Sequence, residues 1–248
     1  MYLSVAGATA VAVWVAIIPL DAHSGRQVPA DDPDALYKDR ENLASAQKAT
    51  DIWTARLKAN PKDFTSAYRL AQARYWLGTN GWPEPQRKGA LESGIEAAQT
   101  AMAIDANKPE GHFWLAANMG ALAESFGLRQ GMKYRGAIRD ALEMTLKLSP
   151  AFLQGSADRA LGRWYFKVPG LFGGSNKKSE EHIRKSLTYG PNSVISHLFL
   201  ADTLADMGRK DEARREYQAA IEAPFDPDWT PEDRRFKEQA KRLLQNLR

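Results

Sequence analysis

Between residues 194 and 227 the apolar positions recur every three or four residues in two runs, VISHLFLADTLADMGRKDEARREYQAAIEAPFDP. That is the spacing of one helix face, so the stretch predicts two amphipathic helices joined by a tight turn. Leu200, Ala201 and Leu204 mark the buried face of the first, and Ala213, Tyr217 and Ala220 that of the second. The unit is 34 residues long, and a period of about that length signals stacked helix pairs.

The same pattern runs back through the chain. Asp32-Pro33 makes a helix start, with Asp as cap and Pro at the first helical position. Residues 34–59 predict one long helix or two abutting ones, with Ala49, Trp53 and Leu57 at four-residue spacing and Asn60-Pro61 as the stop. A helix from Phe64 follows, with Tyr68, Leu70, Ala71 and Trp76 on its buried side and Gly78 at its end. Residues 79–88, TNGWPEPQRK, carry a Gly and two Pro and predict a loop. A second helix spans 91–104, with Gly94, Ala98 and Ala101 as small contacts. The next pair reads as 109–126 and 136–148, separated by a connector at 127–135. Asp158, Leu161, Gly162 and Tyr165 mark another first helix. A Pro/Gly-rich connector at 167–178 follows it, with Ser175 capping a helix that ends near Gly190-Pro191. Thr230-Pro231-Glu232-Asp233 starts a last, heavily charged helix, which suits a solvated end cap.

From the Leu position of the first helix to the small position of the second, the regular unit spans 20 residues (Leu200 to Ala220). The interval is 31 for Leu70 to Ala101, 30 for Leu115 to Thr145 and 25 for Leu161 to Ser186. Three consecutive repeats therefore carry 11, 10 and 5 extra residues between their helices. In a stacked array equivalent insertions emerge on one edge.

The N-terminus departs from this pattern. The run VAGATAVAVWVAIIPL (5–20) is short for a membrane span and suits the apolar core of an export signal, with cleavage after Ser24. The division expected is a signal at 1–24, a linker at 25–32, helical repeats at 33–229 and a capping helix at 230–248. A retained anchor and an ordinary buried helix are the alternatives for the first segment. Export implies a periplasmic or secreted protein.

Composition narrows the chemistry. Across 248 residues there is no cysteine, so disulfides, thiolate zinc sites and cysteine nucleophiles are excluded. The four histidines never fall four residues apart, the spacing that puts metal ligands on one helix face. With 34 basic and 30 acidic residues the balance is mildly positive, and acidic residues are interspersed, so no nucleic-acid footprint is read. No nucleophile elbow, phosphate loop or dinucleotide fingerprint occurs in a strand–helix setting. No cofactor, metal or catalytic residue is expected.

Residues 40–227 resemble tetratricopeptide (TPR) repeats, which implies an all-α, right-handed α-solenoid of antiparallel helix pairs with insertions in three repeats. GHFWLAANMGALAESFG (111–127), RALGRWYFKVPGLFGGSNKKSEEHIRKSL (159–187) and FLADTLADMGRKDEA (199–213) are together similar to the T-component proteins associated with TRAP transporters, and more distantly to the regulator-of-microtubule-dynamics proteins. The first resemblance implies a periplasmic protein that partners a transporter substrate-binding protein and holds a small, partly apolar ligand. The chain lacks the lipidated cysteine of that type.

Candidate binding residues follow from register. Arg159 and Arg163 lie four apart on one helix face, which in the repeat register lines the concave groove. Tyr68, Gln72, Tyr75, Phe113 and Asp202 fall on the same face of their own helices. Aromatic side chains there supply apolar contact, and arginines pair with carboxylates in two-pronged fashion. An internal network of the arginines with Asp158, Asp202 or Glu124 is the competing arrangement. Trp82, Pro83, Leu171 and Phe172 are apolar residues in connectors and either mark a partner surface or fold back into the groove. Gly173-Gly174 before a helix start is read as a flexible connector, with anion binding through free amides as the other option. His112 and His197 are expected at helix–helix contacts. The function expected is protein–protein scaffolding, or else carriage of a small apolar or carboxylate ligand; solenoid edges also suit a homo-oligomer.

Overall fold

A computed structural model describes residues 32–80 and 83–247. The readings for the export signal, for nearly all of the linker and for Trp82 lie outside the described residues. The described residues form eleven α-helices and one 3₁₀ turn, and no strand. In chain order these are α1 (Pro33–Lys38), α2 (Leu43–Ala59), α3 (Phe64–Asn80), α4 (Glu84–Ile104), α5 (Pro109–Ser125) and α6 (Leu128–Leu148). Then come α7 (Ser156–Lys167), the 3₁₀ turn Gly170–Phe172, α8 (Asn176–Tyr189), α9 (Val194–Asp206), α10 (Lys210–Glu222) and α11 (Thr230–Asn246). None of these helices is long and apolar enough to cross a membrane.

Each helix packs on the next, and the odd-numbered helices α3, α5, α7, α9 and α11 also pack on one another in series. The odd helices therefore form an inner layer and the even ones an outer layer, the arrangement of an α-solenoid. Two of the expected caps are where the sequence places them, while the last helix is preceded by Trp229 and has no side-chain cap. The Asp32 carboxylate accepts the Asp34 amide (3.0 Å), and the Ser175 hydroxyl accepts that of Lys178 (3.3 Å). Residues 34–59 divide into two helices, because Asn42 caps the second by accepting the Ala44 amide (3.1 Å).

Two connectors differ from expectation. Residues 79–88 and 127–135 are mostly helical: α3 runs on to Asn80 and α4 begins at Glu84, while α6 begins at Leu128. Pro85 sits in the first turn of α4, where its missing amide would have had no intrahelical partner. The 11 and 10 extra residues thus lengthen the two hairpins rather than protrude as loops. Gly78 does not end its helix. A Cβ there would lie 2.5 Å from the Leu91 side chain, so the glycine lets α4 approach α3. Gly94 and Gly162 do the same work: a Cβ at either would meet Asn118 at 2.1 Å or Ile183 at 2.3 Å. Among the described residues only the third insertion is a loop of any length, built around the 3₁₀ turn.

The buried apolar residues fall into two clusters, one from Leu36 to Trp164 and one from Ile183 to Ala240. Trp229, which precedes α11, packs against the first cluster although its chain neighbours belong to the second. Helix α11 then continues back to the N-terminus. Arg40 donates from Nε and Nη2 to both Glu232 carboxylate oxygens (3.1 and 2.5 Å) and from Nη2 to the Asp228 carbonyl (2.7 Å). Its guanidinium lies between the Tyr37 and Trp76 rings (5.0 and 5.1 Å). Burial pushes the Glu232 carboxyl above its ordinary range, with Arg40 opposing. Nearby, Arg234 meets Glu41 (2.7 Å) and Arg235 donates to Asn80 (2.5 Å). The last helix is therefore more than an end cap: it joins the two ends of the solenoid into a ring.

Candidate functional site

Closing the ring encloses a half-open cavity of about 1250 Å³, walled by α3, α5, α6, α7, α9, α11 and residues 224–229, with Arg87 of α4 at its margin. Tyr75 of α3, Phe113 and Trp114 of α5, Phe199 of α9, and Trp229 and Phe236 from the closing segment supply its aromatic walls. The aromatic residues brace one another. Tyr75 lies 5.7 Å from Trp114, and Phe113 packs edge-on against Trp114 and Phe152 (5.1 and 5.6 Å). Offset contacts of this kind stiffen a wall beyond what apolar burial alone provides.

The turn before α7 also faces the cavity. Leu153, Gln154 and Gly155 all have positive φ (44°, 57° and 73°), two of them without the freedom of glycine. The conformation is held by the fold. Gln154 donates to Asp226 (2.8 Å), and Leu153 and Gln154 form part of the wall. Backbone held against its preference beside a cavity is a feature of binding sites.

The two arginines have different fates. Arg163 is tied into the internal network: Nε meets Glu124 (3.1 Å), Nη1 meets Asp202 (3.1 Å), and the guanidinium lies 4.5 Å over Phe199. Asp202 also accepts the Tyr217 hydroxyl (2.8 Å), so it is fully engaged. Asp158, the other carboxylate considered, instead meets Nδ1 of His182 (2.7 Å). Arg159 has no such partner. It is half-buried on the cavity wall, and among the described residues nothing accepts a hydrogen bond from its guanidinium. Burial pulls it down to about 10, with only the longer-range influence of Tyr75 and Asp233 opposing. It remains a cation at neutral pH. Asp233 is occupied by the Asp226 amide (3.0 Å).

Of the seven groove residues expected from register, Tyr75, Phe113, Arg159 and Arg163 meet at the cavity, and Asp202 stands behind Arg163. Tyr68 and Gln72 do not join them. Tyr68 packs against Phe64 (5.4 Å), and buried Gln72 accepts from Arg69 (2.9 Å). At the insertion edge, Pro83 is exposed and precedes α4, Leu171 is 90% exposed and Phe172 lies 5.4 Å under Arg135. Neither Leu171 nor Phe172 lines the cavity. The Gly173-Gly174 anion option is ruled out by geometry, because the amides of Gly173, Gly174 and Ser175 donate to Gly170, Pro169 and Tyr165 carbonyls (3.1, 3.2 and 2.9 Å). Register reasoning missed Trp229, Asp233 and the 153–155 turn, none of which belongs to a repeat position. His112 and His197 are at helix contacts: His112 Nε2 meets the Ala106 carbonyl (2.9 Å), and His197 bridges Glu216 (2.7 Å) and the Pro191 carbonyl (2.9 Å). Among the described residues no three His, Asp or Glu converge at metal-binding distance.

The paired helices, inner groove and joined ends define a TPR-type α-solenoid. Among solved structures the chain is similar to a thermophilic TPR protein of Thermus thermophilus, with a TM-score of 0.64 and 21% identity over 86% of this chain and 97% of that one. It is also similar to MamA, in one structure with a TM-score of 0.51 and 18% identity over 75% of this chain and 92% of that one. A second MamA structure has a TM-score of 0.50 and 17% identity over 77% and 89%. These likenesses establish the fold. A search of curated proteins gives no match. The family model for regulator of microtubule dynamics protein 1-3 matches residues 31–172. That is more than half of the chain, which therefore belongs to this family.

Proposed function

We propose that the protein is a non-catalytic binding protein whose cavity takes a small ligand with an apolar body and one carboxylate or similar anion. Arg159 carries this reading. Its guanidinium lines the cavity and has no acceptor among the described residues, so it is free to meet a ligand anion there. A ligand carboxylate would complete it with two parallel charge-assisted hydrogen bonds. The aromatic walls would hold the apolar remainder, as in small-molecule sites generally. Native mass spectrometry of the purified protein tests this, with Arg159→Gln beside the wild type. The expected result is an added mass that is anionic on release and is lost in the variant. An apo mass, together with no thermal shift from a series of alkyl carboxylates, would exclude it.

A second reading is protein–protein scaffolding along the inner face, the usual use of such superhelical surfaces. The cavity size favours it, since about 1250 Å³ exceeds the roughly 300–1,000 Å³ of most small-molecule sites. An extended segment of a partner ending in a carboxylate would use the same Arg159. The transport association goes with the first reading, that of a periplasmic ligand-binding component of a TRAP-type system with a substrate-binding protein as partner; a homo-oligomer is one further assembly. A co-purifying polypeptide in place of a small mass would select the scaffolding reading.

A further inference from the structure

The three insertions form one continuous edge. Arg87 of α4 reaches Ser125 at the end of α5 (3.5 Å), and Arg135 of α6 covers Phe172 of the third insertion (5.4 Å). Segments 79–88, 127–135 and 167–178 hold eight of the chain's 34 Lys and Arg but only one of its 30 Asp and Glu. The edge thus has a surplus of seven positive charges where the whole chain has four, so the remainder is net acidic by three. The nearly balanced total conceals a polarised molecule. Among the described residues Lys88 is loosely paired with Glu92 (3.8 Å), while Lys133, Arg135, Lys167, Lys177 and Lys178 face no carboxylate at ion-pair distance.

One apolar side chain stands clear of this basic field. Leu171, at the tip of the 3₁₀ turn, is 90% exposed, and Phe172 beside it is 42% exposed. The turn is firmly built. Beyond its inward-pointing amides, a Cβ at Gly174 would lie 1.6 Å from the Val168 carbonyl oxygen. A folded turn therefore holds the leucine in water.

We propose that this edge docks the protein on an anionic membrane surface. Leu171 enters the acyl boundary, and the surrounding Lys and Arg meet lipid headgroups. A protein partner would need a pocket placed to fit the Leu171 tip with Phe172 beside it, whereas a bilayer accepts them anywhere and presents anions across the whole spread of cations. Lysine stems can lie along the apolar boundary while their ammonium groups stay at the headgroups. Full immersion of one leucine is worth about 10- to 100-fold in partitioning.

The test is vesicle flotation of the full chain with phosphatidylcholine alone and with added phosphatidylglycerol. The readout is the ratio of the two affinities, in which any bilayer affinity of the apolar run 5–20 cancels. Lys177→Glu/Lys178→Glu is expected to cut that ratio about 30-fold or more, at roughly tenfold per 1.4 kcal/mol and about 1 kcal/mol per basic residue. Leu171→Asp is expected to weaken binding to the anionic vesicles about 10-fold or more. Lys58→Glu/Lys62→Glu makes the same charge change near the start of α3. That helix has 17 residues, which places these lysines about 24 Å from the edge, and the ratio should stay near wild type. Circular dichroism checks that each variant is folded. The proposal fails if the Lys177→Glu/Lys178→Glu variant keeps the wild-type ratio, if Leu171→Asp binds the anionic vesicles as tightly as the wild type, or if the distant pair loses as much as the edge pair. Binding of the chain to immobilised polyglutamate without any preference for anionic vesicles would also overturn it and make the edge a protein-docking surface.

Discussion

Removing one partner of the Arg40–Glu232 pair should open the ring at its joint. The two side chains are 4% and 10% exposed and share two hydrogen bonds, with a third from Arg40 to the Asp228 carbonyl. Glu232→Ala would leave the Arg40 guanidinium buried between Tyr37 and Trp76 without its counter-ion. An uncompensated buried charge of this kind costs about 3–5 kcal/mol. For a chain of this size that is a fall in Tm of about 6–20 °C. The neighbouring Arg234–Glu41 pair is more than half exposed on both sides, and Glu41→Gln should cost less than about 1 kcal/mol. Arg40→Met/Glu232→Leu replaces the pair by apolar groups of similar volume and should recover most of the loss. Urea denaturation followed by circular dichroism measures all three, and limited proteolysis of α11 reports whether the joint has opened. A Glu232→Ala loss below about 1 kcal/mol would refute the reasoning, as would a double variant as unstable as the sum of the two single ones.

Three further expectations can be checked on the same footing. Arg159→Met should stabilise the ligand-free protein by about 1–3 kcal/mol, because the cation it removes is held below its ordinary range by burial; it should also abolish ligand binding, and a destabilised variant would mean that Arg159 has an internal partner. Gly94→Ala should cost about 1–3 kcal/mol by pressing a methyl group into Asn118, which holds the Ala71 and Trp114 carbonyls (3.1 and 2.8 Å); a neutral result in urea titration would contradict that packing. Burial disfavours the His197 imidazolium, but its bonds to Glu216 and the Pro191 carbonyl outweigh burial and raise its pKa. That stabilisation is full below the unfolded value of about 6.5 and is lost as pH rises through the folded value. Wild-type stability should therefore decline as pH rises above about 6.5, and His197→Gln should flatten that part of the profile.

The helix pairs were legible because burial in a solenoid repeats. Ala49, Trp53 and Leu57, or Ala213, Tyr217 and Ala220, show the period directly, and Asp32-Pro33 and Ser175 mark helix starts by local chemistry. Pro83 and Pro85 were misleading for a physical reason. In the last residue before a helix or in its first turn a proline is favourable, and the sequence does not say which side of a boundary it occupies. Gly78 misled in the same way, since a glycine that ends a helix and one that admits a neighbouring helix look alike. Ring closure was not legible. It depends on Arg40 finding Glu232 across 192 positions, and both look like ordinary surface residues of polar helices. The cavity was half visible: register put Arg159 and Arg163 on one face, but which of them Glu124 and Asp202 would neutralise depends on how α5, α7 and α9 stack.

The joined ends can be measured directly, because the chain contains no cysteine. Glu41→Cys and Arg234→Cys place one thiol on each side of the joint, at an exposed pair whose native side chains meet at 2.7 Å. A short thiol–thiol crosslinker added at low protein concentration should join them within one molecule and in high yield. Thiols that stay unlinked, or that link only between molecules, would mean that the solenoid is open and that the cavity behind Arg159 does not exist as described.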